Sequence, residues 1–297
     1  MRLATMFSGG GLFDIGAMQA GVTPVWAIEY DPAIAEVYRQ NIGDHIITAD
    51  VANVDYSRLL DVDWLHCSPS CINASGANQD VGEAEEDLRS AGAVVTAIRT
   101  KRPQFFTLEN VWAYRNFQSF RNILNALGEL GYFYDFNHLR MDHYGVPQKR
   151  WRLVLVASRG LLPTIQTAKA TGWKAAIEDL IPGLQETVFP AWQLEKLKNN
   201  RLPEFVINGQ NSTHEYTISI VPPHRPIFTV TASWRKGVTR MQIGGRVLKA
   251  ARRCMARWQT MPDSYIFPTN NQLSGTIIGN GVPCEFARRL AVAVGGL

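Results

Sequence analysis

Two residues at the ends of apolar segments have the types that nucleophilic chemistry needs. Cys71 closes a proline-containing loop, Ser-Pro-Ser-Cys at 68–71, and Glu109 lies in Leu-Glu-Asn-Val at 108–111. A cysteine reacts as its thiolate, which needs a partner that stabilises negative charge. A carboxylate at the end of an apolar strand is costly to bury unless it is used or paired. The alternative for Cys71 by itself is a buried structural cysteine, which is the commoner role.

Two arginines could supply positive charge to such a site. Arg150 and Arg152 lie in VPQKRWRLVLV at 146–156. Residues two apart on a strand point to the same face, so we expect the two guanidinium groups to share one face. Cations beside a carboxylate and a thiol favour the thiolate. The alternative is a solvated basic strand edge.

Acids and glycines at earlier strand ends point to an adenosyl ligand. The segment FSGGGLFDIG at 7–16 is a strand, glycines and a helix start, although an ordinary tight turn explains it equally well and the G-x-G-x-x-G pattern is absent. Glu29 could bind a ribose diol and Asp50 an adenine amino group. Each acid alone is more often a helix cap or a loop residue; in series, they favour an adenosyl group without a pyrophosphate.

These residues need a scaffold in which strands alternate with helices. Such alternation predicts a largely parallel, doubly wound α/β sheet, in which ligands bind at the carboxyl ends of the strands. The predicted strands are 3–7, 25–29, 45–50, 62–68, 104–111, 132–139 and 151–158, and the predicted helices are 13–20, 31–41, 87–101 and 116–130.

The second half of the chain has a less regular sequence pattern than the first. Prolines recur between 160 and 225 and break the helical pattern. Regularity returns with a predicted basic helix over 246–258, a glycine-rich turn over 275–283 and a last helix over 284–293.

Composition sets limits on the class of protein. The chain has 297 residues, of which 46% are hydrophobic and 19% charged, so we expect a large α/β domain with a smaller one. The net charge of +4 permits nucleic-acid binding. No apolar segment is long enough for a membrane span and no signal peptide is evident, so we expect a cytoplasmic protein. In a chain of this length without an export signal we expect no disulfides among the 4 cysteines, and their spacing argues against a zinc site, so we expect no metal.

Taken together and in order, the motifs resemble the cytosine-5 DNA methyltransferase family. The similarity extends from residue 3 to about residue 295, apart from a variable segment, and RWQTMPDSYIF at 257–267 also resembles a family segment. The elements that carry it are FSGGG, Glu29, Asp50, Pro-Ser-Cys, Glu-Asn-Val, QKRWR, RPIFTVTAS at 225–233 and GNGVP at 279–283.

The resemblance implies a Rossmann-like, S-adenosylmethionine-dependent methyltransferase sheet with a small irregular target-recognition domain. The expected division is a catalytic and cofactor-binding domain over 1–182, target recognition over about 183–245, and a return to the catalytic domain over 246–297.

The resemblance also implies a role for each matching residue. Cys71 attacks carbon 6 of a cytosine, which activates carbon 5 for the methyl group, and Glu109 contacts the N3 and amino edge of the base. Arg152 holds the base carbonyl oxygen and the thiolate side, and Arg150 supports the thiolate and the adjacent backbone. No residue is singled out as the base for the carbon-5 proton, and water is an alternative. The implied contacts to S-adenosylmethionine, and to its product S-adenosylhomocysteine, are Phe7, Ser8, Gly9, Gly11, Glu29, Asp50, Pro69 and Asn280.

The implied partner is duplex DNA with the target base flipped out, which requires a basic surface for phosphates. Five basic residues at near-helical spacing are candidates for that surface, although a solvated helix face is the commoner role of such a run. They are Arg246, Lys249, Arg252, Arg253 and Arg257.

The chain departs from the family pattern in two places. Ser70 replaces the second proline of the family's Pro-Pro-Cys-Gln loop and Ile72 replaces its glutamine, which affects the turn and the DNA side of the loop, while Ser75 still matches. The target-recognition region of about 183–222 is short, which suggests either a short recognition site or a contribution from the segment 233–246.

Four functions remain open at this level. The leading one is an orphan or modification-type DNA methyltransferase, acting as a monomer in a prokaryotic or phage-infected cell. The second is a tRNA-modifying relative, which the absence of Pro-Pro-Cys does not favour. The third is a non-catalytic nucleic-acid-binding paralogue, which the presence of Cys71 and Glu109 does not favour. The fourth is transfer of a group other than methyl from a modified sulfonium.

Overall fold

A computed structural model describes residues 1–69, 82–212, 215–232 and 239–296. The chain forms two compact units. Unit 1 comprises Met1–Arg140, Trp151–Gln166 and Phe286–Leu297, and unit 2 comprises Met141–Arg150 and Thr167–Glu285.

Unit 1 is built on a seven-stranded sheet in the order β3-β2-β1-β4-β5-β7-β6. The neighbours from β3 to β5 run parallel, and β7 runs antiparallel to both β5 and β6. The carboxyl ends of the parallel strands therefore share one edge, where the start of β7 joins them. The strands are β1 Arg2–Met6, β2 Thr23–Glu29, β3 Ile46–Thr48, β4 Trp64–Cys67, β5 Phe105–Asn110, β6 Phe133–Arg140 and β7 Trp151–Ser158.

The helices of unit 1 begin where local sequence favours them. The Asp31 side chain accepts hydrogen bonds from the first N–H groups of α2, directly before Pro32. Three consecutive acids open α3 and two basic residues lie in its last turn, which matches the helix dipole at both ends. The helices are α1 Leu12–Gln19, α2 Pro32–Asn41, α3 Glu85–Lys101, α4 Gln118–Glu129 and, mostly within this unit, α8 Cys284–Gly295.

Helices pack on both faces of this sheet. Ile98 of α3 and Phe120 of α4 are buried with Phe106 and Leu155 of the sheet on one face. On the other face, Tyr38 of α2 packs with residues of β2 and β3. Full burial of each such apolar side chain contributes about 1.5–3 kcal/mol to stability. The predicted doubly wound α/β fold is confirmed, and the predicted strands of this unit agree with the observed ones within a few residues at their ends.

Unit 2 contains a separate antiparallel sheet in the order β11-β10-β8-β9. Phe189, Phe205 and Ile207 form a buried cluster there. The elements are α5 Ala191–Leu197, β8 Phe205–Ser212, β9 Glu215–Val221, β10 Arg240–Ile243, β11 Arg246–Lys249, α6 Arg252–Trp258 and α7 Asn271–Asn280.

Two local predictions for unit 2 are wrong. The basic helix expected over 246–258 begins only at Arg252, because Gly244 and Gly245 adopt φ values of 55° and 80° and turn the chain into a hairpin of β10 and β11. The glycine-rich turn expected over 275–283 is helical up to Asn280, since α7 continues to that residue. No helix in the described ranges is long and apolar enough to cross a membrane.

A buried carboxylate lies beneath the first βα turn of unit 1. Asp14 is fully buried and accepts hydrogen bonds from the Thr5 hydroxyl at 3.0 Å and the Tyr38 hydroxyl at 3.0 Å. Burial raises the pKa of Asp14 from 3.8 to about 7, against the opposing effect of the two hydroxyl donors. The folded chain therefore holds a proton here at pH values where the unfolded chain has lost it.

Because of this proton, the free energy of unfolding of wild type should depend on pH, and Asp14→Asn should remove this dependence. Because the folded pKa lies above the unfolded one, the stabilisation is complete below pH 4 and is lost as the pH rises to about 7. The free energy of unfolding of wild type should fall relative to Asp14→Asn by about 1.4 kcal/mol for each pH unit between 5 and 7. Urea denaturation at several pH values measures it.

Asp44→Asn is the matched control, since water solvates the exposed Asp44 carboxylate in both states. If the free energies of unfolding of wild type and Asp14→Asn changed in parallel with pH, the raised pKa of Asp14 would be contradicted.

Candidate active site

The first βα turn of unit 1 is fixed by hydrogen bonds that it donates to β2. Phe7 adopts φ 59°, a left-handed conformation that costs a non-glycine residue about 1–2 kcal/mol. Its neighbour Ser8 donates both its N–H and its hydroxyl to the Ile28 carbonyl, at 3.0 Å and 3.1 Å. The Gly9 N–H donates to Glu29 Oε2 at 2.9 Å. The turn is thus held against the strand that ends in Glu29, and Gly11 follows as the N-cap of α1.

A cavity of about 530 Å³ opens beside this turn. Four of the residues expected to contact the cofactor line it: Phe7, Glu29, Asp50 and Pro69. The start of α3 supplies a further wall, which the sequence did not indicate because acids in a first helical turn are commonly caps. That wall consists of Glu86, Asp87, Arg89 and Ser90.

The acids of the cavity are oriented by their partners. Glu29 accepts hydrogen bonds through both carboxylate oxygens, from the Gly9 N–H and from the Asp31 N–H, each at 2.9 Å. Burial is the largest effect on this carboxyl and raises its pKa. A rigid acid lining of this kind fits the hydroxyls and the amino group of an adenosyl ligand, and its negative charge suits a cationic sulfonium.

Asp50 makes two contacts in this lining. Its Oδ1 accepts a hydrogen bond from the Ala52 N–H at 2.9 Å, and Arg89 Nη2 lies 2.5 Å from its Oδ2. The Ala52 N–H is the main cause that holds the pKa of Asp50 below its usual range, and Arg89 acts in the same direction. Arg89 is also paired with Glu86 on the same helix. The position of the Asp50 carboxylate thus depends on α3.

Glu109 and Arg152 meet on one face of the sheet at its carboxyl edge. Glu109 pairs with Val154 in the β5–β7 ladder, so Arg152, two residues before Val154, is its diagonal neighbour. Arg152 Nε lies 2.8 Å from Glu109 Oε1, and both side chains are largely buried. That carboxylate oxygen has no well-aligned hydrogen bond. The sequence expectation that Glu109 is paired holds at this position, and the oxygen retains capacity for a substrate donor.

Asn110 connects this strand to the loop that leads to Cys71. Its side-chain amide donates to the Pro69 carbonyl at 3.1 Å, and its amide oxygen accepts from the Val111 N–H at 2.8 Å. Asn110 was not among the predicted site residues, although its place in the Glu-Asn-Val motif was the available signal. Cys71, with Ser70, Ile72 and Ser75, lies outside the described residues.

A buried polar cluster supports the strand that precedes this loop. His66 Nε2 is 3.0 Å from the Ser68 hydroxyl, and Nδ1 is 2.8 Å from the Thr107 hydroxyl. Phe13 stacks on the imidazole with ring centroids 3.4 Å apart. Burial holds the pKa of His66 well below its usual value, so the imidazole is neutral.

An aromatic stack lies beside the same edge of the sheet. His138 is sandwiched between Trp112 and Trp151, with centroid distances of 4.4 Å and 4.5 Å. Arg115 covers the Trp112 ring and Arg140 the Trp151 ring. This stack, Arg115-Trp112-His138-Trp151-Arg140, joins the segment after β5 to both β6 and β7.

Two expected site residues lie in unit 2. The expectation that Arg150 shares a strand face with Arg152 is wrong, because β7 begins at Trp151 and the buried Arg150 guanidinium donates to the carbonyls of Val230 and Gly279 at 3.1 Å and 2.9 Å. Asn280 is the exposed last residue of α7.

Four of the five basic residues expected on one basic helix are engaged by partners within unit 2. Arg246 and Lys249 lie on β11, and the other three lie on α6. All four arginines have intramolecular partners, and their role as phosphate contacts stays a prediction. The partners are Glu186 for Arg246, the Pro268 carbonyl for Arg252, the carbonyls of Pro262 and Tyr265 for Arg253, and Asp179 and Asp263 for Arg257.

Among the described residues, no group of His, Cys, Asp and Glu is arranged to hold a metal ion. The features of unit 1 define a Rossmann-like α/β fold with an acid-lined cavity and a buried Glu–Arg pair at the carboxyl edge of its sheet. An acid-lined cavity at this edge is compatible with an adenosyl ligand.

Comparisons with known proteins give the family. The family model described as C-5 cytosine-specific DNA methylase matches residues 1–295. The chain belongs to the C-5 cytosine-specific DNA methylase family. It is therefore a methyltransferase, and members of this family in general use S-adenosylmethionine.

Named relatives match over nearly their full length. The chain is 27% identical to the Type II methyltransferase M.MthTI of Methanothermobacter thermautotrophicus, covering 98% of this chain and 96% of the relative. It is 27% identical to the Type II methyltransferase M.FnuDI of Fusobacterium nucleatum, covering 98% and 93%.

Solved structures share the fold. The Dnmt2 methyltransferase of S. pombe superimposes with a TM-score of 0.72 at 15% identity, covering 100% of this chain and 99% of that one. A putative DNA modification methyltransferase encoded in an E. coli prophage gives a TM-score of 0.70 at 17% identity, with the same coverage.

The Asp50–Arg89 pair predicts a measurable role in cofactor binding. Arg89→Gln removes the cation that holds one Asp50 oxygen, so S-adenosylhomocysteine should bind about two- to fivefold more weakly at low salt. Added salt should shrink the difference, because salt screens exposed pairs. Isothermal titration calorimetry at two ionic strengths measures both effects.

Arg99→Gln is the matched control, since Arg99 lies on the same helix and pairs with the exposed Glu129, away from the cavity. Affinity in Arg89→Gln equal to or tighter than that of wild type would rule out this role.

Proposed function

We propose that this chain methylates carbon 5 of a flipped cytosine in duplex DNA, with Cys71 as the covalent nucleophile and S-adenosylmethionine as the methyl donor. The observation that carries the proposal is the buried Glu109 carboxylate beside Arg152, with one oxygen lacking an aligned hydrogen bond, at the sheet edge that also bears the acid-lined cavity. Relatives named Type II methyltransferases support a modification or orphan role.

The residues around the cavity fit the cofactor. Glu29 would hold the ribose hydroxyls and Asp50 the adenine amino group, with Phe7, Ser8, Gly9, Gly11 and Pro69 forming the backbone cradle. Asn280 is assigned to the same role by its motif. When bound, S-adenosylmethionine supplies an electrophilic methyl group on a sulfonium, and S-adenosylhomocysteine is its product.

The base is activated by the chain's own side chains. The Cys71 thiolate forms a bond to carbon 6, and the electron pair of the 5,6 double bond moves towards carbon 5, which becomes nucleophilic. Glu109 faces N3 and the amino edge and stabilises the charge that develops in the ring, while Arg152 holds the carbonyl oxygen. Once carbon 5 carries the methyl group, a base removes the carbon-5 proton, the double bond re-forms and the thiolate leaves.

Supporting residues position these groups. Asn110 holds the Pro69 carbonyl and so fixes the start of the loop that carries Cys71. Arg150 supports the backbone of unit 2 through the carbonyls of Val230 and Gly279, and its role towards the thiolate is the one that the family motif assigns. We place the catalytic and cofactor-binding parts at 1–182 and 246–297 and target recognition at about 183–245.

The central test uses labelled S-adenosylmethionine with duplex DNA or tRNA. Cys71→Ser should lose at least about a thousandfold in DNA methylation, because removal of a nucleophile abolishes the covalent route. Glu109→Gln should lose about a hundredfold. Duplex DNA that contains 5-fluorocytosine should form a stable adduct with wild type and none with Cys71→Ser.

Glu129→Gln, which changes an exposed carboxylate, is the control for Glu109→Gln. Retained binding of S-adenosylhomocysteine shows that each variant is folded. Label that enters tRNA alone would overturn the substrate, and label in DNA that survives Cys71→Ser would overturn the mechanism.

A further inference from the structure

Unit 2 contains a second cavity that the proposed reaction does not use. It has a volume of about 790 Å³ and is open to solvent. Three separate segments line it, at 142–143, 167–170 and 224–226. Four of the lining residues are basic, and we call them the basic pocket: His143, Lys169, His224 and Arg225.

The three segments are fixed to one another by their backbones. The Ala168 N–H donates to the His143 carbonyl at 2.8 Å, and the Trp173 N–H donates to the Arg225 carbonyl at 2.9 Å. Gly172 allows the second approach, because a Cβ there would lie 2.2 Å from the Pro223 carbonyl oxygen. The basic side chains therefore project from a braced rim.

The charges of the pocket are available to a ligand. All four basic side chains are exposed, and none has an ion pair or side-chain hydrogen bond within the described part of the chain. This separates them from the arginines of β11 and α6, which are engaged by intramolecular partners. The acid that lines the pocket, Asp142, is 8% exposed. The accessible surface of the cavity thus presents two cations, Lys169 and Arg225, beside two imidazole groups.

We propose that the basic pocket binds phosphate groups of the DNA backbone outside the target base; this rests on the proposed function. Phosphodiester oxygens only accept hydrogen bonds; ammonium and guanidinium groups supply donors and positive charge, and an imidazole supplies an N–H donor. An open cavity lets a continuous strand pass, whereas a free nucleotide is better held in an enclosed site. Among the described lining residues there is no Phe, Tyr or Trp for base stacking, which favours a contact to the backbone over one to an unstacked base.

The test measures duplex DNA binding against salt concentration for the full chain. In Lys169→Gln/Arg225→Gln the slope of log K against log salt should decrease in magnitude by about two, and Kd at 0.1 M salt should rise at least about tenfold. S-adenosylhomocysteine binding should be unchanged, which shows that the variant is folded.

The matched control, Arg58→Gln/Arg99→Gln, removes the same charge from exposed positions of unit 1 and should keep the wild-type slope. A pocket variant with the wild-type slope, or one that loses no more than this control, overturns the proposal. If wild type methylates DNA and the pocket variant keeps the wild-type salt slope, the basic pocket is disproved while the proposed function stands. Wild type that neither binds nor methylates duplex DNA disproves the proposed function.

Two further arms identify other ligands. Calorimetric titration with inorganic pyrophosphate tests whether the pocket binds free phosphate instead. Binding heat that requires Lys169 and Arg225, together with an unchanged salt slope for DNA, overturns the assignment to the DNA backbone. A variant that weakens tRNA binding but leaves DNA binding intact overturns it in favour of RNA.

Discussion

A carboxylate can be buried at the end of an apolar strand only if a cation or donor compensates it, and that constraint governs the sheet edge of unit 1. Glu109 meets the condition through Arg152, which reaches it because β7 runs antiparallel to β5 with Glu109 opposite Val154. Reversing β7, or shifting its register by one residue, would turn Arg152 away and leave the carboxylate unpaired. The placement of β7 between β5 and β6 is therefore a requirement of the site as well as of the fold.

Much of this arrangement could be predicted from the sequence. Alternating strands and helices gave the doubly wound sheet, and acids at strand ends gave Glu29 and Asp50, because periodicity and strand-end position are local signals. The Arg89 contact to Asp50 could not be predicted, since it joins residues 39 positions apart whose meeting depends on how α3 packs. Arg150 was placed wrongly for a related reason: alternation along a strand applies only where the strand exists, and β7 begins one residue later.

The same limit explains the basic residues of unit 2. In the sequence, a run of arginines at helical spacing looks the same whether or not the side chains are free. In the structure, Gly244 and Gly245 turn the start of the run into a hairpin. Acids and carbonyls from elsewhere in unit 2 accept hydrogen bonds from the four arginines. The side chains of the basic pocket, which have no ion pair or side-chain hydrogen bond among the described residues, come instead from three separate segments of the chain. The number of positive charges is therefore a poor guide to a phosphate surface, whereas their lack of internal partners is informative.

The stack of Arg115, Trp112, His138, Trp151 and Arg140 has an optical consequence. Trp112 directly follows the Glu-Asn-Val motif and Trp151 directly precedes Arg152, so two indole fluorophores flank the candidate catalytic edge. Both are in ring contact with one imidazole, a group whose protonated form quenches indole emission. Two of the chain's 8 tryptophans therefore contribute emission that is sensitive to this edge of the sheet, and a ligand that displaces either arginine changes the emission of the ring beneath it.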